Sequence, residues 1–227
     1  MRKGKQITAG LAIAIFIFAL ASLSGKIVDL NINILPGSFI THTLMLVLSI
    51  IAISFFKDQV KYKFAWPKIK RIFKPLLFGL LTPIVTNLLM TVINKTAGLE
   101  TGSHPLINKI SPWQLIVFVL FYASIAEELL FRGFLLNILK PLKAKGIAIL
   151  KRRLSLSVII SGLAFGLAHL ILLASGTEAS YVMKAVVFTS LLGIIAGYYQ
   201  EKFDNNAYAI IVHMSGNLVG VVGILLS

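Results

Sequence analysis

Long apolar runs alternate along the chain with short breaks rich in Lys, Arg, Gly and Pro. Seven runs stand out, at about 7–25, 39–56, 75–94, 113–139, 154–175, 181–199 and 207–226. Each approaches the roughly 20 residues that a helix needs to cross a hydrocarbon layer. Within a run the apolar residues are continuous instead of being confined to one stripe, the pattern of a helix surrounded by lipid or by other helices. The pattern predicts an all-α integral membrane protein, a polytopic bundle of about seven transmembrane helices. No internal repeat, linker or low-complexity segment divides it, so residues 1–227 read as a single membrane domain.

Composition sharpens this picture. The chain is 57% hydrophobic and only 13% charged, about half the charged share of an ordinary soluble domain. The net charge of +14 would suggest nucleic acid in a soluble protein. Here the basic residues sit in the breaks between spans, so the expected partner is the lipid bilayer and not nucleic acid. There is no cysteine, which excludes disulfides, thiol catalysis and thiolate metal sites.

The distribution of Lys and Arg sets an orientation. One side receives "MRKGK", the basic segments 57–74 and 140–153, and Lys202; the other receives Lys26, Lys95 and Lys109, with Lys184 at a span edge. By the positive-inside rule the N-terminus is cytoplasmic and the C-terminus outside. "MRKGK", the apolar run and "ALA" at 19–21 share the build of a secretory signal. The run is long for one, and it reads as an uncleaved span. Segment 57–74, "KDQVKYKFAWPKIKRIFK", is basic and aromatic and is expected to form an amphipathic helix on anionic lipid.

The fourth run departs from the apolar pattern. "FYASIAEELLFRGFLLNIL" carries Glu127, Glu128 and Arg132 near its middle, where each charge costs at least a few kcal/mol. Glu128 and Arg132 are four apart with the acid first, the favourable order for an ion pair within one helix. Glu127 lies about 100° around the helix and must face a different partner. Later spans bring His169 in "FGLAHL", and His213 and Asn217, four apart on one face, in "IVHMSGNL". Counted at 1.5 Å per residue from the cytoplasmic ends, Glu127 and His169 lie roughly 20 Å deep, and His213 and Asn217 roughly 10–15 Å. Three helices can bring the four groups to one intramembrane cavity.

Four such groups in a chain with eight acidic residues point to a functional site more than to helix packing. A carboxylate and an imidazole can together deprotonate water. A second His and an Asn amide can donate to a developing oxyanion. That is equipment for amide hydrolysis. Ser215 has no base placed against it, and HExxH is missing. Glu127, His169 and His213 could still ligate zinc with water in the fourth position. His42, at a span edge, and His104, in a loop, receive no role. Gly162 and Gly166, Gly193 and Gly197, and Gly216 and Gly220 are each four apart and are expected to permit close helix approach.

The three clusters, in order, are "EELLFR" (Glu127 to Arg132), "FGLAH" (Phe165 to His169) and "HMSGN" (His213 to Asn217). They match EExxxR, FxxxH and HxxxN, and the chain resembles the CPBP family of intramembrane peptidases, the Abi or CAAX-protease-like proteins. The resemblance covers a core of about 113–220. It implies that Glu127 and His169 activate the hydrolytic water, that His213 and Asn217 form the oxyanion hole, and that Glu128 and Arg132 support them. It implies a peptide or membrane-protein substrate and, in bacterial members, bacteriocin processing, self-immunity or peptide-pheromone maturation. No cofactor is expected from it, a glutamate mechanism being favoured over zinc. Composition suggests a bacterial chain in the plasma membrane. The competing readings are a non-catalytic immunity or scaffold protein that binds a partner through its helices, and a proton-coupled transporter. The second lacks repeat symmetry and paired broken helices.

Overall fold

The computed structural model describes residues 3–28, 30–98, 110–149 and 151–226; His104 and Lys109 lie outside the described residues. Seven helical elements are named here: α1 (Lys3–Ile27), α2 (Phe39–Phe55), α3 (Ile69–Ala97), α4 (Pro112–Leu136), α5 (Leu156–Ala168), α6 (Ala179–Phe203) and α7 (Ala207–Leu225). All but α2 lie in segments long and apolar enough to cross a membrane, α5 together with the 3₁₀ turns His169–Ser175 that continue it. α2 has 17 residues, or about 25 Å at 1.5 Å per residue, shorter than a ~30 Å hydrocarbon core. The protein is thus an all-α membrane protein that has, among the described residues, six candidate spans and one shorter apolar helix, close to the bundle of about seven expected.

α4 is the most enclosed of the candidate spans. Its two sides explain why. Leu130, Phe131, Phe134, Leu135 and Ile138 pack with Ala14, Ile17 and Ala21 of α1, Met45 of α2 and Phe165 of α5. Leu115 and Leu120, nearer its start, pack with Val221 of α7. A charged segment of this kind needs protein on all sides, because lipid offers its polar groups no partners.

The glycine pairs behave unequally. A Cβ on Gly162 would lie 2.8 Å from the backbone N of Ile194, and one on Gly193 would lie 3.0 Å from Cα of Gly162. α5 and α6 therefore cross backbone to backbone at these two residues. Gly166 also has no room, with Val186 O 2.7 Å from its would-be Cβ, and Gly216 faces Leu192 at 2.8 Å. Gly197 and Gly220 do not follow the expectation. The first leaves ordinary contact distances and the second faces open space.

Segment 57–74 is not the amphipathic helix expected. It makes one turn over Lys57–Val60, runs without helix to Lys68, and enters α3 at Ile69. Pro67 removes a backbone donor and disfavours helical geometry at Trp66. Tertiary hydrogen bonds then flatten the segment onto the α6–α7 turn. Asn206 N donates to Lys63 O (3.0 Å) and Lys68 N to the Tyr208 hydroxyl (3.0 Å). Asn205 receives the Ala65 amide at 3.1 Å and donates to the Ala65 carbonyl at 2.9 Å. The basic loop 140–153 holds a small antiparallel hairpin, β1 (Gly146–Ile149) with β2 (Arg152–Ser155), Gly146 opposite Ser155.

Candidate active site

The site is organised by a change of pitch in α4. Leu115–Ala123 is π-helical, Ser124–Glu128 is α-helical, and Leu129–Leu136 is π-helical again. Such wide turns are rare and collect at functional sites. Here they bracket the one α-helical turn that carries both carboxylates. Polar side chains cap carbonyls in the second wide stretch. Ser161 Oγ donates to Phe131 O (2.7 Å), Gln200 Nε2 to Arg132 O (2.8 Å), and Asn137 Nδ2 to Arg132 O (3.0 Å) and Gly133 O (2.9 Å).

Glu128 and Arg132 form the expected pair, with Nη1 donating to Oε1 at 2.8 Å and both side chains fully buried. His213 Nδ1 lies 2.9 Å from the same Oε1. The guanidinium is centred 4.6 Å from the Phe165 ring. Its Nη2 occupies the space that a Cβ on Gly193 would need. One buried ion pair thus joins α4 to α5, α6 and α7. A buried charge is tolerable only when paired in this way.

Glu127 faces a different set of groups. Its Oε1 lies 3.3 Å from His42 Nε2, and its Oε2 3.6 Å from His213 Nε2. His213 therefore spans both carboxylates. His169 stands where α5 passes into 3₁₀ turns, with Nδ1 3.0 Å from the Phe165 carbonyl. A carbonyl can only accept, so Nδ1 carries the proton there. In the neutral ring Nε2 is then the basic nitrogen. Asn217 Nδ2 donates to Ser124 Oγ at 3.1 Å.

Glu127, His169, His213 and Asn217 line a single cavity of about 360 Å³, together with His42 and Lys184. A second cavity of about 190 Å³ lies against the same His42, Glu127 and His169 and is otherwise walled mostly by apolar groups such as Phe18, Phe131 and Phe165, with Ser22 and Thr41. Glu128 and Arg132 sit behind this wall. His213 Nε2 stands 3.6 Å from Glu127 Oε2, although counting along the spans had set the two residues at different levels. α7 begins at Asn206 and Ala207, which are already buried beneath the strap of residues 61–68. Its first turn is thus a poor origin for counting along the span.

His42 is the residue that sequence reasoning missed. An ionisable side chain within an apolar run is a functional candidate by default, and that was the available signal. The partner lies 85 residues away, and no local spacing reveals it. Among the described residues, no three His, Asp or Glu side chains are gathered as a metal-binding group.

Residues 109–219 match the family model described as Type II CAAX prenyl endopeptidase Rce1-like. The matched stretch contains all three motifs and runs from the approach to α4 into α7; α1, α2 and α3 lie outside it. No curated protein and no solved structure matches the chain.

Proposed function

We propose that this chain, a member of the CPBP family through residues 109–219, is an intramembrane endopeptidase that hydrolyses a peptide bond by carboxylate- and imidazole-activated water. The observation that carries the reading is the gathering of Glu127, His169, His213 and Asn217 around one cavity. Glu127 and Nε2 of His169 take the proton from water as its oxygen attacks the scissile carbonyl. His213 and Asn217 donate to the oxyanion that forms. The tetrahedral intermediate then collapses, the C–N bond breaks, and the proton passes to the leaving amine. At rest Asn217 Nδ2 donates to Ser124, so this donor turns towards the carbonyl when substrate arrives, whereas His213 keeps Nδ1 on Glu128 and faces the cavity with Nε2. The buried Glu128–Arg132 pair holds the frame and takes no part in proton transfer.

The substrate in this reading is a peptide or membrane-anchored protein, handled in the plasma membrane of a bacterium, as in bacteriocin processing, self-immunity or pheromone maturation. The N-terminus is cytoplasmic, and no metal takes part. The Lys-rich strap then lies at the cytoplasmic interface. Its exposed Phe64 and Trp66, with Ile69 and Phe73 at the start of α3, suit that boundary.

The test uses purified protein in nanodiscs and a diverse peptide mixture read by mass spectrometry, with and without chelator, beside Glu127→Gln. Wild-type products that persist in chelator and vanish in the variant are expected. Intact peptides from both proteins, with equal action of both in cells, would make the carboxylate structural and favour the scaffold reading.

A further inference from the structure

α2 brings an imidazole to the carboxylate from outside the matched stretch. His42 Nε2 lies 3.3 Å from Glu127 Oε1, with the two side chains 14% and 17% exposed. The pair stands in the walls of both cavities. Its placement is enforced by neighbours on α2. Thr43 Oγ1 and the Tyr122 hydroxyl are hydrogen-bonded at 2.8 Å. Phe39 stacks on Tyr122 with ring centroids 5.7 Å apart, and His42 itself meets Tyr122 edge-on at 6.4 Å. Tyr122 lies on α4, the helix that carries Glu127. The residues on either side of His42 are therefore clamped to the helix that presents the carboxylate.

A carboxylate works as a base only when its oxygens are held in a productive direction. Glu127 Oε1 is taken by His42. Oε2 stands 3.6 Å from His213 Nε2, too far for a direct hydrogen bond. The two oxygens are thus unequal, and His42 makes them so.

We propose that His42 is a positioning residue of the peptidase, whose Nε2–H donates to Oε1 of Glu127 and presents Oε2 to the hydrolytic water. This rests on the peptidase reading above. His42 touches no reacting atom, and its effect passes through the orientation of Glu127. α2, although outside the matched stretch, then belongs to the catalytic unit.

Two variants separate this role from packing. His42→Phe keeps a ring against Tyr122 and removes the donor. His42→Gln restores a donor near the position of Nε2. With full-length protein in nanodiscs, His42→Phe is expected to lower kcat by about 10- to 100-fold, the scale of a misplaced catalytic group. KM and the melting temperature should stay near wild type, and His42→Gln should recover most of kcat. A second readout does not need activity. The chain has four histidines, and in ¹⁵N-histidine-labelled protein the His42 Nε2 resonance should shift in Glu127→Gln. Wild-type kcat in His42→Phe, equal losses in both variants with lowered melting temperatures, or an unmoved resonance would each overturn the proposal. If wild type cuts no peptide while the resonance moves, the peptidase reading falls and the His42–Glu127 pairing stands.

Discussion

Arg132 Nη2 fills the volume that any side chain at Gly193 would require. Gly193→Ala therefore forces a choice. Either the guanidinium leaves its 2.8 Å bond to Glu128, or α5 and α6 separate at the Gly162 crossing. Both routes overpack the core, at about 1–3 kcal/mol, and both disturb the wall behind Glu127. Thermal melts should show the destabilisation, and peptide cleavage should fall with it. Gly220→Ala is the control. Its Cβ would meet nothing within 4 Å, so stability should change by less than about 0.5 kcal/mol.

Removing one member of the buried ion pair should be worse than removing both. Arg132→Met leaves Glu128 with only His213 at 2.9 Å beside it, and Glu128→Leu strands Arg132; the second should lose about 3–5 kcal/mol and the first somewhat less. The double variant leaves no uncompensated charge and should regain much of that stability in a denaturation series. Double-variant stability at or below the worse single would show that the pair is not coupled.

Asn217 and Ser124 are bonded to one another, but the peptidase reading gives them different weight. Asn217→Ala removes an oxyanion donor and should reduce kcat by about 10²–10³-fold. Ser124→Ala removes only the resting partner and should leave kcat within a few-fold. Kinetics on the same peptide would separate them, and equal effects would remove Asn217 from the oxyanion hole.

Asn205 holds the strap of residues 61–68. Its side chain accepts from Ala65 N at 3.1 Å and Ala207 N at 3.0 Å and donates to Ala65 O at 2.9 Å. Asn205→Ala loses three hydrogen bonds, at about 1 kcal/mol each. Trypsin should then cut faster after Lys61 and Lys63 than in wild type. An unchanged digestion rate would show that other contacts hold the strap.

Much of the architecture was legible before the structure. The spans follow from uninterrupted apolar runs, since lipid tolerates little else. The Glu128–Arg132 pair follows from helical spacing, because residues four apart share a face. The order of the three motifs along the chain pointed to the family that residues 109–219 match. Each of these depends on residues close together in sequence or on composition.

The rest depended on contacts between distant segments. The strap at 61–68 is extended because the α6–α7 turn supplies hydrogen bonds that compete with helix formation. α7 starts inside the protein because that strap covers its first residues, so counting from helix ends did not reveal that His213 stands beside Glu127. The second wide stretch of α4 has carbonyls capped by Ser161, Asn137 and Gln200, and two of these come from other helices. His42 gains its partner only when α2 docks on Tyr122, which lies 79 residues from Thr43. The sequence by itself determined which segments enter the membrane and which charges pair within a turn, because burial and helical spacing are local. The tertiary structure alone decided which face of Glu127 meets which imidazole, since that direction is set by the packing of separate helices.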